Sequence, residues 1–580
     1  MLIESVPLSS LHKVRPNSNI SSYSYTGGSL LENETFSFQI AFRCSSSADM
    51  HFLPVFTEVI SDIPEISCYY VGYVPVTHAN IPNLQTCFVS RECGLYPDIL
   101  IPRKSKAKIK KEIFPGGNIF FEQGEKTLLT AVNDCWQSLW FTVNENGRTV
   151  QSGEHKITVR FFNRKNKELV GESTVTIIVI PAKLPKQELI YTNWFHYDCL
   201  SDYYCVDMFS DEHFEIMKNY IKTAVKNGMN MILTPAFTPP LDTTEGAQRK
   251  TAQLVKITVI DGIYTFDFSL MKRFIRMCKS VGINYFEHSH LFTQWGAKAA
   301  PKIMATVNEV EKQIFGWKTK ASGTKYKDFL HAYLSALDTF LKKEGLEKSF
   351  LFHISDEPSD KDRGDYKKAV DAVGNLLDGY MTGDALSHYS FYEEGLVKSP
   401  IVSTNAIHDF IGKCDNLWCY YTGGRTQNGL SNRLILTTSQ RNRIIGVQMY
   451  YHNIKGFLHW GYNYYYDVLS HGLFDPKINP CGYKMNAGTS YLVYPETNGT
   501  ALESLRQKVF YEAINDIRAM QLLEKLTCRK TVEEILEQHF GKITFNTCPE
   551  TEDDMLRVRE DINQRINKEI KERVSRHEGY

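Results

Sequence analysis

Near the middle of the chain the sequence reads Phe350-Leu351-Phe352-His353-Ile354-Ser355-Asp356-Glu357-Pro358. A short apolar run closed by a proline is typical of a buried parallel strand. Pro358 cannot donate a ladder hydrogen bond and biases Glu357 towards an extended conformation, so we expect the strand to end here. Asp356 and Glu357 would then lie at the carboxyl end of a buried strand. They can share one pocket only if the strand is already irregular there, because neighbouring side chains of a regular strand point to opposite faces. The alternative is a chance Asp-Glu pair at the start of a loop, since the chain has 66 acidic residues.

The surrounding sequence alternates apolar runs with amphipathic helical segments from residue 186 onward. Helices are predicted at 212–227, 325–343 and 365–378, and a hairpin at 255–268. The candidate strands number eight, with the acid pair ending the fourth: 189–195, 229–235, 283–288, 350–357, 380–382, 401–404, 417–420 and 456–460. This alternation predicts a (β/α)8 TIM-type barrel over residues 186–500. In such a barrel the chemistry is done at the carboxyl ends of the strands.

The segments on either side of this region have a different pattern. Residues 1–185 contain short strand-like runs separated by turn-rich spacers, which predicts a β-sandwich domain. These runs are 36–42, 66–71, 138–143, 155–161 and 173–180. Residues 501–580 are predicted to form a helical region packed on the barrel. The chain is also too long for a single core, which agrees with several domains.

The composition excludes some classes of partner. Acidic and basic residues balance at 66 each, so the formal net charge is zero. The chain therefore lacks the excess of positive charge that is typical of proteins that bind nucleic acid or an anionic membrane surface. Aromatic residues make up 12% of the chain, and such rings suit sugars, because their faces stack on pyranose C–H groups while Tyr and Trp can still form hydrogen bonds. Core packing explains most aromatic residues equally well.

The sequence also bears on location. Its thirteen cysteines are dispersed without a C-x-x-C pair, a pattern typical of reduced thiols rather than of a disulfide scaffold. No apolar run is long enough to span a bilayer, and no signal peptide is visible. We therefore expect a cytoplasmic protein without a transmembrane segment. A secreted protein whose signal had been removed would look the same.

The predicted strand ends carry polar and aromatic side chains. Neither a glycine-rich phosphate loop nor a Gly-x-Ser-x-Gly elbow is present. The pair His288 and His290 with Glu287 would make a crude metal-ligand set, but no further ligand follows at a recognisable spacing. Neither a metal nor a cofactor is therefore predicted. We expect substrate to be bound by Trp194, His196, His290, Trp295, Asn405, Tyr420, Tyr421 and Trp460.

The order of a β-sandwich, a barrel with Ser355-Asp356-Glu357-Pro358 ending its fourth strand, and a helical C-terminus resembles glycoside hydrolase family 123. The Asp-Glu pair is the most specific element of this resemblance, while the other segments match in order and character. The resemblance covers nearly the whole chain. It implies a retaining exo-β-N-acetylgalactosaminidase that acts on glycans or glycolipid oligosaccharides by substrate assistance, without an enzyme nucleophile.

The residues fit the chemistry that this resemblance implies. An ordinary retaining glycosidase needs two carboxyl groups about 5–5.5 Å apart across the scissile bond, an arrangement that adjacent acids on one strand do not naturally give. Glu357 would instead act as general acid and base, and Asp356 would accept the N–H of the substrate's 2-acetamido group. Tyr420 or Tyr421 would hold the acetamide carbonyl, and Trp460 or Trp194 would form the floor under the sugar ring.

Two other functions remain open from the sequence. The chain could be a glycosidase on another sugar that uses a distant acid such as Glu287 as nucleophile, or a non-catalytic carbohydrate-binding protein. The sequence does not distinguish N-acetylgalactosamine from N-acetylglucosamine, and it leaves the linkage and the oligomeric state undetermined.

Overall fold

The computed structural model describes residues 2–45, 51–78, 87–103, 113–114, 117–118, 127–424, 429–482 and 484–578. Its first part consists of strands: β1 (Leu2–Ser9), β2 (Gly27–Leu31), β3 (Phe36–Ser45), β4 (Phe52–Ile60), β5 (Ile66–Val76), β6 (Gly94–Pro102), β7 (Ile113–Phe114), β8 (Gly117–Asn118), β9 (Thr127–Val132), β10 (Gln137–Val143), β11 (Gly153–Asn163) and β12 (Leu169–Ile180).

Ten of the strands β1 to β12 form two main sheets that face each other, while β7 and β8 pair with one another. One contains the order β1-β3-β10-β5-β6, and the other has the order β2-β12-β11-β4-β9. Along β11 buried and more exposed residues alternate, as expected for a strand with one face in a core. The two sheets meet in a shared apolar core, where the rings of Phe42 on β3 and Phe161 on β11 lie 5.4 Å apart. The prediction of a β-rich N-terminal region is confirmed.

The remaining elements follow in chain order: β13 (Ile190–Asn193), α1 (Tyr197–Tyr203), α2 (Asp211–Lys226), β14 (Met231–Thr234), β15 (Lys256–Ile260), β16 (Ile263–Asp267), α3 (Ser269–Ser280), β17 (Tyr285–His288), β18 (Ile303–Val307), β19 (Val310–Phe315), α4 (Thr324–Glu344), β20 (Phe350–Phe352), α5 (Arg363–Val373), β21 (Met381–Leu386), α6 (Ser390–Glu393), β22 (Ser399–Ser403), β23 (Trp418–Tyr420), α7 (Ser439–Arg443), α8 (Ile445–Tyr451), β24 (Gly456–His459), β25 (Tyr494–Pro495), β26 (Ala501–Ser504), α9 (Leu505–Leu526), α10 (Arg529–Phe540) and α11 (Glu552–Glu578).

A nearly closed barrel of eight parallel strands forms the centre of the chain. The strands pair in the order β13-β24-β23-β22-β21-β20-β17-β14. The two ends of this order lie side by side, since Asn230 N–H donates to the Tyr191 carbonyl (3.1 Å) and the Asn230 side chain accepts from Tyr191 N–H (2.8 Å). Apolar side chains from strands all around the barrel fill its interior, among them Met231, Leu351 and Ile401. All eight predicted strands are present, with somewhat different ends.

Long connecting segments follow the second and third strands of the barrel. The predicted hairpin is β15–β16, and it pairs with a second hairpin, β18–β19, to give a sheet of order β16-β15-β18-β19. The second hairpin was not predicted. The predicted helix at 212–227 is α2, which begins where the Ser210 hydroxyl accepts from His213 N–H (3.2 Å) and ends before Gly228. Glycine suits this end because its φ of 86° lies in the left-handed region.

The C-terminal region is helical, as predicted, but it also contacts the β-rich region. The hairpin β25–β26 extends the first sheet through pairing of β26 with β6. At the start of α9, the buried Arg506 guanidinium lies 2.9 Å from the Asp98 carboxylate of β6. On α11, Arg559 lies 2.7 Å from Glu34. The boundaries proposed at residues 185 and 500 stay a prediction.

A search of the described helices finds none that is both long and apolar enough to cross a bilayer.

Candidate active site

A cavity of about 160 Å³ opens at the carboxyl ends of the barrel strands. Larger clefts of about 780 and 510 Å³ lie between the N-terminal strands and α11, away from the barrel mouth. The small cavity holds the acid pair and a wall of aromatic rings. Its lining comprises Trp194, His196, Leu241, Asp242, Gln294, Trp295, Asp356, Glu357, Ala385, Tyr420, Thr422, Leu458 and Trp460.

The acid pair lies beyond the regular part of its strand. Strand β20 ends at Phe352, several residues before Asp356. The expectation that Glu357 is extended is wrong, because its φ of 42° lies in the left-handed region. Such a conformation costs a non-glycine residue about 1–3 kcal/mol and occurs mainly where the surroundings enforce it. Here Glu357 N–H donates to the Ala385 carbonyl (3.0 Å), and Trp295 N–H donates to the Asp356 carbonyl (2.8 Å). Because regular pairing has already stopped, both acids reach the same cavity.

The electrostatics of the pair favour a shared proton. Asp356 retains some exposed surface, but protein atoms surround its carboxylate. Burial, followed by the charge of Glu357, raises the pKa of Asp356 well above its ordinary value. The nearby carboxylates of Asp384 and Asp242 act in the same direction, and His353 acts against it. The pair therefore retains one proton to a higher pH than an isolated carboxyl group would.

Tyr420 is the last residue of β23 and Tyr421 follows it, and the two side chains point in opposite directions. The Tyr420 hydroxyl donates to the Glu357 carboxylate, and burial together with the charge of Glu357 raises the pKa of Tyr420 well above its usual range. Tyr420 therefore remains a donor at all working pH values. Tyr421 faces away from the cavity, where its ring lies 5.1 Å from that of Phe457. Its buried hydroxyl has no hydrogen-bond partner among the described residues.

This difference predicts different effects for two matched substitutions. Tyr420→Phe is expected to lower kcat/KM about 10- to 100-fold, because a hydrogen bond to a charged group contributes about 1.5–3 kcal/mol. Tyr421→Phe removes a buried hydroxyl that has no partner among the described residues, and it is expected to leave kcat/KM within about twofold. Steady-state kinetics of both variants, with thermal unfolding as a check on folding, make the comparison. Equal losses in the two variants would contradict this assignment.

Aromatic side chains form much of the remaining wall. The Trp194 ring lines the cavity, but its indole N–H is engaged with the Glu287 carboxylate at 2.9 Å. Trp295 lies at the rim with 47% of its surface exposed. His196 donates through Nε2 to the Trp460 carbonyl (2.9 Å), a tautomer assigned from these partners. Burial and the charge of Arg249 lower the pKa of His196 to about 4, so His196 is neutral near pH 7.

Three of the predicted substrate-binding residues lie outside the lining. Tyr421 faces away, as described above. His290 is fully buried beneath the cavity, where its ring stacks on that of His353 at 4.6 Å and meets Trp194 edge-on at 5.2 Å. Asn405 follows β22 and accepts a hydrogen bond from the Ser403 hydroxyl. Because His290 and Asn405 both come two residues after a strand end, position along the chain could not determine where their side chains point.

Asp242 and Arg249 are functional candidates that sequence reasoning missed. Both lie in the long loop between β14 and β15. Asp242 lines the cavity with a φ of 42°, and burial raises the pKa of its carboxyl group. The Arg249 guanidinium donates to both carboxylate oxygens of Asp198 and to the Leu241 carbonyl, each at 2.8 Å. Gln294 also supports the loop, since its side-chain oxygen accepts from Asp242 N–H (2.6 Å). The length of the loop was the available signal, because long loops in compact domains are usually functional.

A second layer of buried histidine and carboxyl side chains lies beneath the cavity. Among the described residues, His290, His353 and Asp384 present potential metal-ligand atoms within 4.8 Å of one another. Burial alone would lower the pKa of His353, but the carboxylates of Asp384 and Glu287 raise it to about 9. A doubly protonated imidazole has no lone pair to offer a cation. In this state His353 is instead paired with the carboxylates of Asp384 and Glu287.

Comparisons with known proteins identify the family of this chain. Residues 194–523, more than half of the chain, match the family model described as the glycoside hydrolase 123 catalytic domain. This match makes the protein a glycoside hydrolase, an enzyme class that acts on glycans. The chain belongs to glycoside hydrolase family 123.

Solved structures extend the similarity to the full length. A family 123 glycoside hydrolase from Clostridium perfringens, described for its hydrolysis of glycolipid glycans, is 14% identical, with a TM-score of 0.70 over 100% of this chain and 99% of that one. At this identity the likeness concerns the fold. β-Glucuronidase 2 from Bacteroides uniformis is 11% identical over 87% of this chain and 51% of that one, with a TM-score of only 0.30. No curated protein matches the sequence.

Proposed function

We propose that this glycosidase releases terminal β-linked N-acetylgalactosamine from glycans, including glycosphingolipid glycans, with retention of configuration. In this proposal the two N-terminal sheets are a β-sandwich, and the parallel barrel is of the (β/α)8 TIM type. The observation that carries the proposal is the presence of Asp356 and Glu357 side by side in one cavity, with the Tyr420 hydroxyl on Glu357. A cavity of about 160 Å³ suits one sugar unit, which favours action at chain ends.

The first step of the proposed reaction uses the substrate's own acetamide as nucleophile. Glu357 gives its proton to the glycosidic oxygen while the bond from the anomeric carbon to that oxygen breaks. The acetamide oxygen forms a new bond to the anomeric carbon, and Asp356 accepts a hydrogen bond from the acetamide N–H as positive charge develops. The tethered nucleophile makes the step efficient because no second molecule has to be brought into position. Tyr420 is the candidate donor to the acetamide oxygen, to which its hydroxyl would turn from Glu357 once substrate binds and Glu357 is protonated.

The second step opens the oxazolinium ion. The Glu357 carboxylate takes a proton from water, and the water oxygen bonds to the anomeric carbon as the bond to the acetamide oxygen breaks. Two inversions at the anomeric carbon give net retention. Glu357 is left protonated and Asp356 ionised, as at the start of the cycle.

A separate carboxylate nucleophile is the principal alternative. Glu287 is poorly suited to that role, because it is fully buried, does not line the cavity and already accepts from Thr192, Trp194 and His353. Asp242 is the other acid in the lining, so this alternative depends on Asp242. A non-catalytic sugar-binding protein would have no need for two acids sharing a proton in its pocket.

Hydrolysis of three p-nitrophenyl glycosides tests the proposal. We expect cleavage of the β-N-acetylgalactosaminide, with or without slower cleavage of the β-N-acetylglucosaminide. We expect at least about 10³-fold less activity on the β-galactoside, which lacks the acetamide and loses the advantage of a tethered nucleophile. Inhibition by a thiazoline analogue of N-acetylgalactosamine would support the oxazolinium. Full activity on the galactoside, lost in Asp242→Asn, would instead favour the separate nucleophile.

A further inference from the structure

A buried group of three charged residues lies under the acid pair. Glu287 on β17, His353 after β20 and Asp384 on β21 come from three neighbouring barrel strands, and all three are almost fully buried. His353 Nε2 is 3.1 Å from a Glu287 oxygen, and His353 Nδ1 is 3.4 Å from an Asp384 oxygen. The second contact is long for a hydrogen bond and is an ion pair. His353 thus lies between two carboxyl groups; burial would lower its pKa, but these neighbours raise it to about 9.

Packing alone does not account for these residues. Removing charges from water is costly, and apolar residues of similar volume often stabilise a core as well or better. The two carboxylates are nevertheless provided with donors. Glu287 accepts from the Thr192 hydroxyl and the Trp194 indole N–H, while Asp384 accepts from the Tyr366 hydroxyl. Such a network at the floor of a cavity indicates a role in function.

The group is joined to the acid pair through the backbone. Asp384 oxygens accept from the N–H of Ile354 at 3.0 Å and of Ser355 at 3.3 Å, the two residues that precede Asp356. This fixes the segment from which both acids project. Replacing the His353 cation with a neutral group would leave two buried anions facing each other close to Asp356.

We propose that His353, held between Glu287 and Asp384, is a positioning residue whose charge counteracts the acids around Asp356 and so favours the anionic form of Asp356, with the proton of the pair on Glu357. Substrate assistance needs this distribution, because Asp356 must accept the acetamide N–H and Glu357 must protonate the leaving oxygen. The inference rests on the proposed function and gives a reason why the proton of the pair is on Glu357 and not on Asp356. His353 acts through Asp356 and does not contact the substrate.

The charges around the pair give the sign of the expected effect. Asp356 is surrounded by Glu357, Asp384 and Asp242, which raise its pKa, and by His353, which lowers it. His353 in turn faces Glu287, Asp384 and the ring of His290, and burial and the charge of His353 keep the pKa of His290 well below the ordinary value. Removing the His353 charge should therefore raise the pKa of Asp356 further. Because the proposed reaction needs anionic Asp356, activity would then begin to fall at a higher pH as the solution is made more acidic.

The test compares His353→Gln with His288→Gln in the full chain. His288 is an equally buried histidine that pairs with the Tyr333 hydroxyl at 2.7 Å, outside the group of three. We expect His353→Gln to lower kcat about 10- to 100-fold with little change in KM, and to move the acidic limb of the pH profile up by about one pH unit. His288→Gln should keep the acidic limb of the wild type. His353→Lys, which keeps a positive charge, should move the limb back towards the wild-type position.

An unchanged acidic limb in folded His353→Gln would overturn the inference. Should that variant fail to fold, nitrogen-15 NMR of the histidine-labelled wild type provides a second measurement. A doubly protonated imidazole must persist at pH 8, and its absence would also overturn the inference. Failure of the proposed function is distinguishable, since it would appear as an inactive wild type on N-acetylhexosaminides. The pH limb would then be measured on whichever glycoside is cleaved.

Discussion

Glu357→Gln is expected to lower kcat/KM for an N-acetylgalactosaminide with a sugar or lipid leaving group about 10³-fold. General acid–base catalysis contributes about 10²- to 10⁴-fold, and Glu357 would serve as the acid in the first step and the base in the second. Glutamine keeps the shape and can still accept from the Tyr420 hydroxyl, but it cannot transfer a proton. The loss should therefore appear without unfolding.

A comparison of two leaving groups tests the role of Glu357 as acid and base more specifically. p-Nitrophenolate departs without protonation, so the first step of Glu357→Gln should be largely preserved on the p-nitrophenyl glycoside, and slow opening of the oxazolinium should limit turnover. Azide attacks without a general base, so it should restore release of p-nitrophenol and yield the β-glycosyl azide. Glu309→Gln, in the exposed turn between β18 and β19, is the matched control. Equal losses on the two leaving groups, or no response to azide, would argue against this role.

Asp356→Asn has the second large expected effect. Loss of the carboxylate removes the acceptor and the negative charge that stabilise the forming oxazolinium, and we expect kcat on N-acetylgalactosaminides to fall about 10²- to 10³-fold, as for loss of other preorganised electrostatic groups. The loss should be similar for good and poor leaving groups, because the missing function is on the nucleophile side.

Azide separates this variant from the previous one. Because the acetamide is the affected nucleophile and the base Glu357 is intact, azide should not restore activity to Asp356→Asn. Asp356→Asn should also bind the thiazoline analogue more weakly than wild type. A variant with more than a tenth of the wild-type kcat, or one rescued by azide, would show that Asp356 has another role.

Much of the barrel was predictable because its strands are buried on both faces. Such strands appear as apolar runs, and all eight were located from these runs and from their alternation with helical segments. The acid pair was located in the same way, since Pro358 marks the end of the fourth run. The left-handed φ of Glu357 was not predictable, because hydrogen bonds to Ala385 and from Trp295, both distant in sequence, impose it.

Side-chain direction limited the rest of the site prediction. Tyr420 ends β23 and Tyr421 is the next residue, and in an extended segment neighbouring side chains point to opposite faces. Asp242 enters the cavity on a loop that Arg249 ties to Asp198, a contact between distant segments without a local pattern. His290 has a polar side chain and follows a strand, but it belongs to the layer beneath the cavity. The substrate-binding roles and the cytoplasmic location remain predictions.

The late position of β26 in the chain has a consequence for biosynthesis. Strand β6 ends at residue 102, and the strand that covers its outer edge begins at residue 501. At about 5–20 residues per second, a ribosome needs roughly 20 to 80 s to make the intervening segment. During that time the nascent first sheet has an open edge of unpaired N–H and C=O groups, a template for unwanted pairing with other chains. The N-terminal region is thus synthesised first but completed almost last, so ribosomes that stop before residue 501 would release chains prone to aggregate.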